Sequence, residues 1–125
     1  MSKRVLIVDD EANILLSLEF LMKQAGYEVV TAGDGDAAIA AIRESAPDLV
    51  LLDIMIPGRN GYEVCEWLRA DTGHTGPAVV MLTARGRDIE REKGLSLGAD
   101  AYVTKPFSTR EVSDTVKRLL DARPA

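Results

Sequence analysis

The stretch Asp48-Leu-Val-Leu-Leu-Asp53 decides the fold of this chain. It is a short apolar run that ends in a carboxylate, and the segment Ile54-Met-Ile-Pro-Gly58 after it is typical of a loop. An uninterrupted apolar run of this length predicts a strand buried on both faces, as in the middle of a parallel sheet. Because a buried carboxylate is costly when it stands alone, we expect Asp53 to meet water, a cation or a metal.

Polar groups also end three further apolar runs. If all four runs are parallel strands, their carboxyl ends share one edge of the sheet, where doubly wound folds bind ligands. We therefore expect further carboxylates, a hydroxyl and an ammonium to converge beside Asp53. The runs are Val5–Val8 ending in Asp9-Asp10, Ala78–Leu82 ending in Thr83, and Ala101–Val103 ending in Thr104-Lys105.

Helical patterns alternate with these strands and with Tyr27–Ala32, a more polar run that predicts an edge strand. Five alternations of strand and helix predict one α/β domain with a doubly wound parallel sheet, whose core covers about residues 3–121. The fourth helix has no clean apolar stripe, which predicts that it is easily moved. The predicted helices are residues 14–25, Ala37–Ser45 after a turn and N-cap in Gly33-Asp34-Gly35-Asp36, Gly61–Ala70, residues 88–97, and one opened by a capping box at Ser108-Thr-Arg-Glu111.

Composition excludes several classes of protein. The 125 residues suffice for one core, and a net charge of −5 argues against this domain gripping a nucleic-acid backbone by itself. The N-terminal apolar run is too short for a signal sequence or a membrane span. The single cysteine, Cys65, cannot form an internal disulfide, which favours the cytoplasm. His74 stands alone in a loop segment and is interpreted as a solvated residue.

The expected cluster of Asp9, Asp10 and Asp53 has a definite chemistry. These carboxylates would repel one another and raise at least one pKa unless a cation neutralises them. Oxygen-only ligands favour Mg²⁺ over Zn²⁺. A carboxylate beside Mg²⁺ and an ammonium is suited to attack on a phosphoryl group. The metal would hold one phosphoryl oxygen, Lys105 a second, and the Thr83 hydroxyl with a loop amide the third. The small Ala84 leaves the approach open.

Four motifs resemble the receiver domain of bacterial two-component response regulators over essentially the full length of the chain. They are Val-Asp9-Asp10-Glu, Leu-Leu-Asp53-Ile-Met-Ile-Pro-Gly, Met-Leu-Thr83-Ala84 and Gly-Ala-Asp-Ala-Tyr102-Val-Thr-Lys105-Pro106-Phe. The resemblance implies a flavodoxin-like sheet in the order 2-1-3-4-5. It also implies that Asp53 accepts a phosphoryl group from a sensor histidine kinase or a histidine phosphotransfer protein.

The resemblance implies further roles at this site. Mg²⁺, or Mn²⁺ in its place, would bind Asp10, Asp53 and the backbone carbonyl of Met55, with Asp9 acting through water. Thr83 and Tyr102 resemble the family's switch pair, and the Lys105–Pro106 peptide bond is expected to be cis. Phosphorylation would shift a pre-existing equilibrium, so that the surface of the fourth helix, fifth strand and fifth helix controls an output partner or domain.

Two positions bear on the lifetime of the phosphorylated form. Met55 cannot orient a hydrolytic water with its side chain, and Arg85 is placed to reach or cover the phosphoryl group, so we hypothesise a fairly long lifetime. The segment around the fifth strand most resembles the receivers of winged-helix regulators, which pair through this surface. Their second acidic residue and helix arginine are replaced here by Ala101 and Thr115, which argues against such a dimer.

Other functions fit the sequence less well. A Mg²⁺-dependent phosphatase of the haloacid-dehalogenase type needs a second aspartate where Met55 stands, and this length leaves no room for its cap. A receiver-like scaffold that works without phosphorylation does not explain a complete acidic site. A flavin or dinucleotide site needs a glycine-rich first turn, not Asp-Asp-Glu. Leu16 and Phe20, off the main helical stripe, are either absorbed by helix-flank contacts or form a docking patch; the sequence leaves this open.

Overall fold

The computed structural model of the chain describes residues 3–72, 76–84, 93 and 97–122. Five parallel strands form one sheet: β1 (Arg4–Val8), β2 (Glu28–Ala32), β3 (Leu49–Asp53), β4 (Ala78–Ala84) and β5 (Ala101–Lys105). Their order is β2-β1-β3-β4-β5. This order confirms the predicted doubly wound sheet, with the partly exposed β2 at one edge.

Four helices lie within the described residues: α1 (Ala12–Gln24), α2 (Gly35–Ser45), α3 (Gly61–Thr72) and α4 (Thr109–Asp121). The helix predicted at residues 88–97 lies outside the described residues apart from Lys93 and Leu97. None of the helices in the described ranges is long and apolar enough to cross a bilayer.

Two hydrophobic clusters cover the two faces of the sheet because side chains alternate along each strand. Leu6, Val50 and Met81 face the first cluster, which α2 and α3 cover. Val5, Leu51 and Val103 face the second, which α1 and α4 cover. Every residue of β3 is buried. The apolar run therefore forms a central strand, as the sequence predicts.

Several boundaries differ from the predicted ones. β4 continues past Leu82 to Ala84 because its last residues pair with β5 in the register Thr83↔Thr104 and Ala84↔Lys105. α2 begins at Gly35, where the Asp34 side chain accepts a hydrogen bond from the Ala37 N–H. The pairing of β4 with β5 places Thr83 and Lys105 within strands at the carboxyl edge of the sheet.

Side chains also cap the last two helices. The Ser108 hydroxyl accepts from the Glu111 N–H at 3.0 Å, which is one half of the predicted capping box. A reciprocal box that the sequence analysis did not single out opens α3, where Asn60 and Glu63 each accept from the other's N–H at 3.0–3.1 Å. The loop after β3 is thereby fixed at its far end.

Two apolar side chains on α1 remain outside both clusters. Leu16 is 64% exposed and Phe20 is 66% exposed. The interpretation that helix-flank contacts absorb them is therefore wrong.

Candidate functional site

Three charged side chains meet at the carboxyl edge of the sheet. Asp9 follows β1 and is fully buried, and Asp53 ends β3 with 6% of its surface exposed. The Lys105 ammonium at the end of β5 lies 2.7 Å from Asp9 Oδ2 and 3.5 Å from Asp53 Oδ1. The two buried carboxylates therefore share one cation, which offsets part of the cost of burying them.

Asp9 is held by the backbone around it. Its Oδ1 accepts from the Glu11 N–H at 2.9 Å, while its own N–H donates to the Ala32 carbonyl at 3.1 Å. Since Oδ2 contacts Lys105, both oxygens of this carboxylate have partners within the protein. The nearest partner of Lys105 is thus Asp9, a pairing that the sequence analysis did not foresee.

The environment of Asp53 favours its neutral form. Burial raises the pKa of Asp53 above its ordinary value of 3.8, and the negative charge of Asp9 raises it further. The charge of Lys105 and a hydrogen bond from the Met55 N–H oppose this rise without cancelling it. An added cation would lower the pKa of Asp53 by favouring the ionised carboxylate.

Lys105 stays charged beside these acids. Burial by itself would lower the pKa of the Lys105 ammonium, but the hydrogen bond to Asp9 and the charges of Asp53, Asp9 and Glu11 outweigh burial and raise it. The site therefore presents a permanent positive charge next to the Asp53 carboxyl at neutral pH.

The acidic cluster suits a hard cation. Asp9, Asp10 and Asp53 each place a carboxylate oxygen within 4.8 Å of the other two. Asp10 is exposed, whereas the other two are buried, so the cluster opens to solvent on the Asp10 side. Carboxylate oxygens with room for water are the ligands that Mg²⁺ takes in proteins. The donor set therefore fits the predicted metal.

The predicted switch residues lie on a common face of the sheet. Thr83 is buried at 2% exposure near the end of β4, and Tyr102 is half-buried on β5. The register pairs Thr83 with Thr104 and Met81 with Tyr102, so all four side chains lie on the same face of the sheet. Tyr102 packs against the first cluster, beside the strand that carries Thr83. The backbone of Ala84 continues β4, whereas Arg85 and His74 lie outside the described residues.

The loop after β3 brings backbone groups to Asp53. Ile54 and Ile56 are buried, and Met55 between them has its side chain 71% exposed. The Met55 side chain thus points away while its N–H donates to the Asp53 carboxylate.

Gly61 is a residue of this site that the sequence analysis did not single out. Its N–H donates to the Ile54 carbonyl at 2.9 Å. A Cβ at this position would lie 2.6 Å from the carbonyl oxygen of Asp53 and 2.8 Å from Ile54 Cα. The signal in the sequence is a glycine that opens a helix directly after the loop that follows Asp53.

A doubly wound domain that gathers an acidic cluster and a lysine at the carboxyl edge of its sheet has the architecture of a phosphoacceptor domain. The chain belongs to the response regulator receiver domain family, whose model matches residues 5–117. It is a receiver domain of a response regulator, as the motifs of the sequence imply.

Solved structures of this family are similar over nearly the whole chain. A CheY-like receiver domain protein from Methanospirillum hungatei is 32% identical with a TM-score of 0.89, covering 97% of this chain and 95% of that one. The chemotaxis response regulator CheY4 of Vibrio cholerae is 28% identical with a TM-score of 0.88, covering 95% and 99%. NtrX from Brucella abortus is 30% identical with a TM-score of 0.89, covering 97% of this chain and 27% of that one.

Proposed function

We propose that Asp53 is the phosphoacceptor of this receiver domain and that its donor is the phosphohistidine of a sensor kinase or a histidine phosphotransfer protein. The observation that carries the proposal is the buried Asp53 carboxyl beside the Lys105 ammonium, 3.5 Å away, within an acidic cluster that fits Mg²⁺. The proposed metal ligands are Asp10, Asp53 and the Met55 carbonyl, with Asp9 acting through water. A reducing cytoplasm is the proposed compartment because Cys65 is an unpaired, buried thiol.

Charge neutralisation is the main chemical demand on these residues. An Asp53 oxygen forms the new P–O bond while the bond from phosphorus to the donor's nitrogen breaks, and the leaving imidazole takes a proton. Bound Mg²⁺ supplies positive charge to the transferred group and its acceptor. Lys105 offers a second positive charge, and the Met55 N–H and the Thr83 hydroxyl are the proposed hydrogen-bond donors. Asp9 acts on the reaction by holding Lys105 in place.

The proposed output is a change in the surface around β5. A phosphoryl group that draws the Thr83 hydroxyl toward itself leaves space that the half-buried Tyr102 ring is placed to fill. The populations of two pre-existing states would then shift, and a partner protein or an attached domain would read the difference. The exposed Met55 side chain, which cannot orient water over Asp53, supports a long lifetime for the phosphorylated form.

The test is incubation with acetyl phosphate and Mg²⁺, followed by mass spectrometry of the intact protein. We expect wild type to gain one labile phosphoryl group and Asp53→Asn to gain none. Asp114→Asn is the matched control because its side chain is 74% exposed on α4 and should leave the gain intact. Equal labelling of wild type and Asp53→Asn would overturn the assignment. Catalytic release of phosphate from phosphomonoesters would instead favour an aspartate-nucleophile phosphatase.

A further inference from the structure

The acceptor loop, defined here as residues 54–60, carries the backbone groups that contact Asp53. Its register depends on two buried side chains, Ile54 and Ile56, at 2% and 6% exposure. The Met55 N–H, which donates to Asp53, lies between these anchors. A shift of the loop backbone would therefore move a hydrogen-bond donor of the reacting carboxylate.

A neighbouring helix also holds this loop. The N–H of Gly35, the first residue of α2, donates to the Pro57 carbonyl at 3.2 Å. Next to it, Arg59 Nε lies 3.2 Å from Asp36 Oδ1, but these side chains are 53% and 77% exposed. The exposed ion pair adds little stability, so the backbone contact at Gly35 is the stronger candidate for holding the loop.

The backbone of Arg59 lies closer to Gly35 than any side chain at position 35 would permit. A Cβ built there would overlap the Arg59 carbonyl oxygen and lie 2.7 Å from both the carbonyl carbon and the Cβ of Arg59. These are backbone atoms and a first side-chain carbon, which cannot rotate away as the end of a long side chain does. By contrast, a Cβ at Gly33, two residues earlier, meets nothing within 4 Å.

We propose that Gly35 is a positioning residue for the phosphoacceptor: by lacking a side chain, it lets the start of α2 clamp the acceptor loop and hold the Met55 amide against Asp53. The inference rests on the proposed function of Asp53. Helix stability does not call for a glycine, since Gly35 is the first residue of α2 and the Asp34 side chain already caps this helix. The expected effect of alanine at position 35 is therefore displacement of the loop.

The experiment compares wild type, Gly35→Ala and Gly33→Ala. The first readout is the set of amide resonances of residues 53–60 in the metal-free protein, measured by ¹H–¹⁵N NMR. The second is the rate of phosphorylation by acetyl phosphate at saturating Mg²⁺. We expect Gly35→Ala to move the Met55 and Arg59 resonances and to slow phosphorylation by about tenfold to a hundredfold, since displacements near 1 Å have effects of this size. Gly33→Ala should match wild type in both readouts.

Each outcome bears on a separate claim. Unchanged loop resonances and an unchanged rate in Gly35→Ala would overturn the positioning role. A wild-type protein that accepts no phosphoryl group would refute the proposed function, while the NMR comparison would still decide whether Gly35 positions the loop. If Gly35→Ala does not fold, the double variant with Arg59→Gly, which removes one overlapping atom and frees the loop backbone, is compared with Arg59→Gly alone. The Arg59 carbonyl oxygen still overlaps a Cβ at position 35 in the double variant, so equal loop resonances and equal rates in that pair would also refute the proposal.

Discussion

Arg69, near the end of α3, makes the most extensive set of polar contacts in the described part of the chain, and its replacement is the most informative test of stability. Its Nε donates to the Gly98 carbonyl at 2.9 Å and its Nη1 to the Pro77 carbonyl at 3.0 Å. Its Nη2 contacts Asp100 Oδ2 at 2.8 Å, and the same oxygen accepts from the Val79 N–H. The side chain is 11% exposed. It therefore joins α3 to the segments that lead into β4 and β5.

The expected loss of unfolding free energy on replacing Arg69 follows from these contacts. A hydrogen bond to a charged group contributes about 1.5–3 kcal/mol, and removing one partner of a buried ion pair costs about 3–5 kcal/mol. Because the Asp100 side chain is 39% exposed, water can replace part of the lost interaction. Methionine at position 69 keeps much of the apolar stem. We therefore expect Arg69→Met to lower the free energy of unfolding by about 3 kcal/mol, the lower end of that range.

The assay is urea denaturation followed by circular dichroism, extended to a double-mutant cycle with Asp100→Asn. The control is Arg110→Met, since Arg110 is 91% exposed and 3.8 Å from Asp114. Such a surface pair contributes at most about 0.5 kcal/mol. A loss below about 1 kcal/mol in Arg69→Met, or no coupling to Asp100, would refute the reasoning.

Three further predictions concern stability. Because burial raises the pKa of Asp53, its ionisation destabilises the folded metal-free protein as pH rises from 3.8 through the raised pKa. Urea titrations in EDTA should therefore find Asp53→Asn more stable than wild type at pH 7, with the difference vanishing near pH 3.8. A difference that does not depend on pH would contradict this. Ser108→Ala removes the acceptor for the Glu111 N–H and should cost about 1 kcal/mol in thermal unfolding; no cost would mean that water caps α4 equally well. Leu51→Ala, at 0% exposure, should cost about 2–5 kcal/mol in urea, whereas Leu16→Ala, at 64% exposure, should stay within about 0.5 kcal/mol; similar losses would contradict the burial pattern.

The sequence predicts those parts of the fold that depend on local pattern. β3 was predictable because a strand covered on both faces must be apolar throughout, and every residue of Leu49–Asp53 is buried. The polar residue at the end of each run also identified Asp9, Asp53 and Lys105, which the structure brings together. Such signals are local in the chain but point to one place because parallel strands align their carboxyl ends.

Contacts between distant segments were not predictable in the same way. The extension of β4 to Ala84 depends on pairing with β5, which the composition of β4 does not reveal. The choice of Asp9 as the nearest partner of Lys105 depends on geometry across 96 positions of chain. The close contact between Gly35 and the Arg59 backbone likewise depends on tertiary packing. From the sequence alone, a turn explains a glycine at this position equally well. Local pattern thus indicated which groups take part, and packing decided their pairing.

The Lys105–Asp9 ion pair spans the sheet, because β3 and β4 lie between the strands that these residues end. During synthesis Asp9 leaves the ribosome 96 positions before Lys105. Until β5 has docked, the first and third strands present uncompensated acids, and the pocket lacks its cation. A product of synthesis stopped before β5 would therefore keep both acids without the lysine that offsets their burial.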